Sequence, residues 1–299
     1  MPSLKDIKTQ INSVVSTKKI TTAMKMVAAS KLRRSQEKAV AARPYSSRLE
    51  EMLSSLASSA ASGEGIIKLL TGTGNDQNYI VVPVSADRGL CGGFNSSINR
   101  ETFKLVKSLE NDGKNVQLMP VGKKSRDFFN RVMKEQIVES FIDLNVSNNG
   151  YDSALNVSNK LQDLYFEGKF DKCILVFNKF KSAISQEVTH QQLIPLDVSE
   201  KDNEDKSNET ESSDKAIYTY EPDEETILQD LLPKNVSIQI FKVLLESDAG
   251  EQGARMAAMD NATRNAGEMI DSLTLKYNRT RQAFITKELI EIISGAESI

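Results

Sequence analysis

ARMAAMDNATRNAGEMIDSLTLKYNRTRQAFITKELIEIISGAES, residues 254–298, is the stretch whose reading decides the fold. No proline occurs from residue 237 to residue 299. Small and apolar side chains recur at helical spacing: Ala254, Ala257, Ala258, Ala262 and Ala266, then Ile270, Leu273 and Tyr277, then Leu289, Ile292 and Ile293. The pattern predicts one helix of about sixty residues, roughly 90 Å long at 1.5 Å per residue. A mean helix has only about 11–12 residues, and a stripe this long is buried by another long helix. The alanines let two helix axes come close. Gly250, Gly253 and Gly267 weaken the helix locally, by about 1 kcal/mol each relative to alanine.

The partner is at the other end of the chain. Pro2 suits a first helical turn, and Ser3 with Asp6 three residues later reads as a capping-box-like start. Leu4, Ile7, Ile11, Val14, Ile20, Met24 and Val27 then recur every three or four positions, with small residues at Ala23, Ala28 and Ala29. Pro44 is expected to kink or interrupt this helix. A second piece, residues 45–61, carries Leu49, Met52, Leu53 and Leu56 on one side. Two long terminal helices separated by a central domain give an antiparallel pair.

The middle of the chain reads differently. Compact β-prone runs at residues 79–84, 116–121, 172–177 and 188–194 alternate with helical sequence at 96–109, 123–132 and 151–166. That order implies a mostly parallel sheet with covered faces. The fold class expected is therefore α/β: a long antiparallel coiled coil of the N- and C-terminal helices plus a central Rossmann-like domain. The expected divisions are residues 1–61, 78–222 and 234–299. Residues 199–216 are polar, lack apolar anchors and are expected to form a mobile acidic loop.

The glycine-rich stretch SADRGLCGGFN, residues 85–95, follows a strand and precedes a helix, where a phosphate could sit. Its glycines, Gly89, Gly92 and Gly93, do not match G-x-G-x-x-G, and no Lys-Ser/Thr follows as in a P-loop. Gly122-Lys123-Lys124-Ser125 misses that pattern too. The reading preferred is a tight turn needing backbone freedom, with no cofactor and no metal. The one histidine, His190, cannot build a His-based metal site. Two cysteines, Cys91 and Cys173, make no disulfide framework and point to a reducing compartment. No apolar run reaches transmembrane length, and no signal or transit peptide is recognisable.

Charge is distributed unevenly. The chain has 299 residues and a net charge of -3, but residues 1–48 hold eleven Lys and Arg against only Asp6 and Glu37, so +9, leaving -12 for the rest. A basic arm on an acidic body suits an acidic protein, an anionic membrane or nucleic acid. Nucleic acid is disfavoured because few aromatics are interleaved and no base-reading motif is present. A Rossmann-type enzyme with oligomerisation arms would need the phosphate motif that residues 85–95 lack.

Three stretches carry a family resemblance over nearly the whole length. Residues 254–298, with Ile285-Thr286-x-Glu288-x-x-Glu291-x-x-x-Gly295-Ala296, residues 20–36 (ITTAMKMVAASKLRRSQ) and residues 87–95 (DRGLCGGFN) resemble γ subunits of F-type ATP synthases. The match is weakest across residues 130–182 and the acidic loop. The resemblance implies a non-catalytic central-stalk rotor subunit that couples ion-driven rotation of a c-ring to the catalytic β subunits. Its implied partners are α and β (as α3β3), ε and the c-ring, with no nucleic acid and no direct membrane insertion. It implies a peripheral position on the cytoplasmic face of a bacterial inner membrane or the matrix face of a mitochondrial one. It further implies that Arg281 and Gln282 contact a β catch loop. Met24, Lys25 and Cys91 then lie at the β lever and neck, and Ile285, Leu289, Ile292 and Ile293 form an apolar bearing tip. Tyr218 and Tyr220 belong to a foot facing the c-ring and ε. Chloroplast relatives carry a cysteine pair in a regulatory insert; the acidic loop here has none, so that thiol regulation is not expected.

Overall fold

A computed structural model describes residues 3–59, 68–144, 146–182, 185–196 and 224–297. Helix α1 (Leu4–Ser59) begins as its capping residues dictate: the Asp6 amide donates to Ser3 Oγ at 3.2 Å and the Ser3 amide to Asp6 Oδ2 at 3.1 Å. A short α2 (Lys68–Thr71) leads to β1 (Asn78–Pro83), α3 (Phe94–Asn111), β2 (Asn115–Leu118), α4 (Lys123–Val132), α5 (Val146–Phe166), β3 (Lys172–Phe180), β4 (Gln186–Ile194) and α6 (Glu224–Glu297). By contacts the chain divides into two units, residues 1–30 with 255–299, and residues 31–254.

In the larger unit the sheet order is β2-β1-β3-β4. β1 pairs in parallel with β2 and β3, while β3 and β4 are antiparallel. The sheet is thus mostly parallel, with an antiparallel edge. Alternation along β1 explains its unbroken apolar sequence, since both faces are covered. Ile80, Val82 and Val84 face a core with Leu161 of α5, Leu49 and Leu53 of α1, and Leu232, Val236 and Ile240 of α6. Tyr79 and Val81 face a second core with Ile98 and Val106 of α3 and Phe129 of α4.

Several expectations are corrected. Pro44 does not interrupt the N-terminal helix, which runs through it to Ser59. Proline removes one backbone donor, but Ser46, Leu49 and Leu53, just beyond it, are buried and hold the helical path. Pro233 likewise lies inside α6, which starts at Glu224. Leu228, Leu232 and Val236 around it are at most 1% exposed, and its carbonyl accepts from Gln162 Nε2 and Ser237 Oγ. α5 begins about a turn before the expected residue 151. β2 is shorter than expected, and the chain beyond it adds a strand-like edge: Ile137 bridges Leu118, and Phe141 bridges Val121.

Candidate interaction surfaces

In the smaller unit α1 and α6 meet antiparallel. Lys25 Nζ reaches Asp260 Oδ1 at 2.6 Å, Thr263 Oγ1 donates to Thr21 Oγ1 at 2.8 Å, and Lys18 lies over Gly267. Positions on α1 fall as those on α6 rise. Ala28, Thr21 and Ile7 are buried on α1, and Met259 and Ala266 on α6, so the seam mixes small and large side chains. Of the alanines expected to line it on α6, Ala266 is buried while Ala257, Ala258 and Ala262 are half-buried. Continued at this register, Leu4 lies level with Thr280. Every side chain from Arg281 to Ser294 is exposed.

That segment holds the predicted tip. Ile285, Leu289, Ile292 and Ile293 are 48–68% exposed, and the structure adds Phe284 and Ile290 to them. Arg281 and Gln282 are exposed on the same turn, with the Gln282 carbonyl accepting from the Thr286 hydroxyl at 3.0 Å. Burying this much apolar surface needs another molecule. On α1, Met24 is half-buried, while Ile20, Met26 and Val27 are exposed beside Lys18 and Lys19. Asp260, held well below the usual carboxylate range first by the Lys25 ammonium, was not singled out by sequence reading.

In the larger unit, residues 85–95 form the turn between β1 and α3. Asn95 Oδ1 accepts from the Ala86 amide at 2.9 Å, and Asn95 Nδ2 donates to Cys91 Sγ at 3.1 Å. Cys91 is 1% exposed, and the turn presents Arg88 and Leu90 outward, Leu90 being 63% exposed with φ +64°. Leu90 was missed because nothing in the sequence announces a left-handed leucine. The N-terminus of α4 is occupied by the chain's own oxygens: the Lys123 amide donates to Asp87 Oδ1 at 2.8 Å and the Ser125 amide to Ser85 Oγ at 2.9 Å. A crevice of about 110 Å³ at these strand ends is lined by Asp87, Asp248 and Glu251. Three carboxylates there disfavour a phosphate electrostatically. Burial pushes the Cys173 thiol far up, so it stays protonated and inert. Among the described residues no cluster of His, Cys, Asp and Glu could hold a metal, and no helix is long and apolar enough to cross a membrane. Tyr218, Tyr220 and the acidic loop lie outside the described residues.

A family model described as ATP synthase matches residues 3–299. The ATP synthase gamma chains of Rhodospirillum rubrum and Paramagnetospirillum magneticum are 56% and 52% identical, each over 299 residues and the full length of both chains. Among solved structures, the central stalk and c-ring of the Tetrahymena thermophila mitochondrial ATP synthase contains a similar chain. It is 25% identical, has a TM-score of 0.58, and the match covers 81% of this chain and 99% of that one. A chain of the Euglena gracilis mitochondrial ATP synthase rotor matches with TM-score 0.64 at 17% identity, over 94% of this chain and 98% of that one. With both helices, the sheet and the strand-end turn inside one full-length match, this chain belongs to the ATP synthase gamma chain family.

Proposed function

We propose that this chain is the central-stalk rotor subunit of an F-type ATP synthase. Its partners are the α and β subunits, ε and the c-ring. It couples ion-driven rotation of the ring to conformational change at β, and it carries out no bond-making step itself. The observation that carries this reading is the exposed segment from Arg281 to Ser294, apolar on Ile285, Leu289, Ile292 and Ile293, at the end of a two-helix pair. A non-polar tip inside a sleeve of α and β chains turns against a surface without strong directional bonds. An asymmetric chain favours a different β conformation at each angle, and coupling follows from that differential contact.

Arg281 and Gln282 provide the directional element. A guanidinium offers a rigid fork of donors, and the glutamine amide adds a donor and an acceptor. A charge-assisted hydrogen bond to a β loop contributes about 1.5–3 kcal/mol, enough to prefer one angle and small enough to break at every step. Met24, Lys25 and the turn around Cys91 and Leu90 face the β lever. Tyr218 and Tyr220 belong to the foot toward ε and the c-ring. The absence of catalysis is supported by the acidic crevice at the strand ends and by the missing phosphate motif in residues 85–95. The chain sits peripherally, on the cytoplasmic face of a bacterial inner membrane or the matrix face of a mitochondrial one.

The test is steady-state ATP hydrolysis by reconstituted complexes at equal assembly. Arg281→Ala or Gln282→Leu is expected to lower turnover about tenfold, as loss of roughly 1.4 kcal/mol would. Arg281→Lys is expected to recover only part, because a point charge cannot reproduce the fork. Unchanged turnover in both variants removes the catch.

A further inference from the structure

The seam between α1 and α6 in the smaller unit contains polar contacts where an apolar stripe alone was expected. Lys25 Nζ bonds Asp260 Oδ1 at 2.6 Å, and Asp260 Oδ2 also lies 3.4 Å from Arg264. One turn on, Thr263 Oγ1 donates to Thr21 Oγ1 at 2.8 Å, with Thr21 only 8% exposed. A further turn on, a Cβ at Gly267 would approach Lys18 Nζ to 3.3 Å. We propose that these contacts are a register lock: they set the axial alignment of the two helices, so that torsion on one is shared by the other without sliding. The proposal rests on the rotor reading for its purpose but not for its geometry.

The chemistry favours alignment over stability. The ion pair is 44% and 42% exposed on its two side chains, and such pairs contribute little to stability. The small residues of the seam, in contrast, discriminate poorly between registers, because alanine packs against alanine in many of them, which leaves few large side chains such as Ile7 and Met259 to favour one alignment. Polar groups at the seam then decide alignment, as single polar positions do in coiled coils. A slip of one heptad moves Thr21 from Thr263 to face Ile270 or Met256. The Thr21 hydroxyl then keeps its bond to the Lys18 carbonyl but loses its cross-helix partner. The same slip carries Lys25 from Asp260 to Gly267 or Gly253, neither of which offers an anion.

The experiment reads register directly in the full chain assembled with its partner subunits. Spin labels are placed at Lys8→Cys and Lys276→Cys, both exposed and outside the lock, while Cys91 and Cys173 are buried and escape labelling. The wild-type seam is expected to give one narrow distance distribution. Lys25→Glu or Asp260→Lys is expected to add a second, longer-distance population, because an axial slip of about 10 Å, the rise of one heptad, separates two labels that start level, and to lower ion pumping per ATP hydrolysed. The Lys25→Glu/Asp260→Lys exchange restores both. Lys25→Ala, which removes the pair without repulsion, gives a smaller second population and keeps the test decisive if the reversals assemble poorly. A single unshifted distance in the reversal and alanine variants overturns the lock, whatever Arg281 variants do to turnover. A displaced population that the exchange fails to restore overturns the Lys25–Asp260 pairing as its cause.

Discussion

Gly122 has φ +96°, and a Cβ there would lie 2.1 Å from the Ser85 carbonyl oxygen. Strain and collision coincide, so Gly122→Ala is expected to destabilise the larger unit by at least about 2 kcal/mol, read as a fall in the urea midpoint. At the other end of the strands two carboxylates are anchored. Asp76 is held far below the usual carboxylate range, first by Lys172 and then by Tyr79 and Lys114. For Asp171, burial acts in the opposite direction, but the Asn78 and Gln77 amides, the Thr73 hydroxyl and the Asn78 side chain outweigh it and lower the pKa. A depressed folded pKa means the unfolded chain binds the proton more readily. The stabilisation is therefore complete above the unfolded value, about 3.9, and is lost as pH falls below it. Urea midpoints are expected to drop as pH falls from about 4 toward 2, and Asp76→Asn with Asp171→Asn should flatten that drop.

At the scale of the element, α6 changes character along its length. Val236, Ile240 and Leu244 are packed in a core, Met259 and Ala266 line a seam, and Ile285 onward is bare. The last part is expected to tolerate chemistry-preserving change. Replacing Ile285, Leu289, Ile292 and Ile293 with other aliphatic residues should leave assembly with α and β within about twofold of wild type. Four lysines should abolish most of it, since each charge must be desolvated in an apolar sleeve. Co-purification yield measures both, and equal tolerance of lysine would mark the tip as simply solvated.

For the whole molecule, two expectations concern what the chain can do without. Residues 200–215 contain almost nothing to bury, and closing a shorter loop costs little. A Gly-Ser replacement is expected to leave assembly with α and β intact; loss of assembly would make the loop structural. The isolated chain is expected to bind ATP no tighter than millimolar, because Asp87, Asp248 and Glu251 line the strand-end crevice. Calorimetry showing micromolar binding that Gly92→Ala or Gly93→Ala abolishes would overturn this.

Periodicity by itself determined the two terminal helices and the covered sheet. A 3.6-residue stripe sustained from Ala254 to Ile293 has no other solution, and runs such as Tyr79 to Val84 need apolar cover on both faces. Composition also separated the glycine-rich turn from a phosphate loop, because the required lysine is simply not there. Tertiary structure decided the rest. Local rules break a helix at Pro44 and Pro233, yet burial of Leu49, Leu53, Leu232 and Val236 outweighs one missing hydrogen bond at each. The antiparallel edge β4 and the strand-like pairing of Ile137 and Phe141 depend on partners distant in sequence. Lys25 reads as a solvated cation until Asp260, 235 positions later, is brought to 2.6 Å from it. Local pattern specifies which surfaces must be buried; only long-range packing specifies which residues meet there, because that choice is made by side chains the sequence keeps far apart.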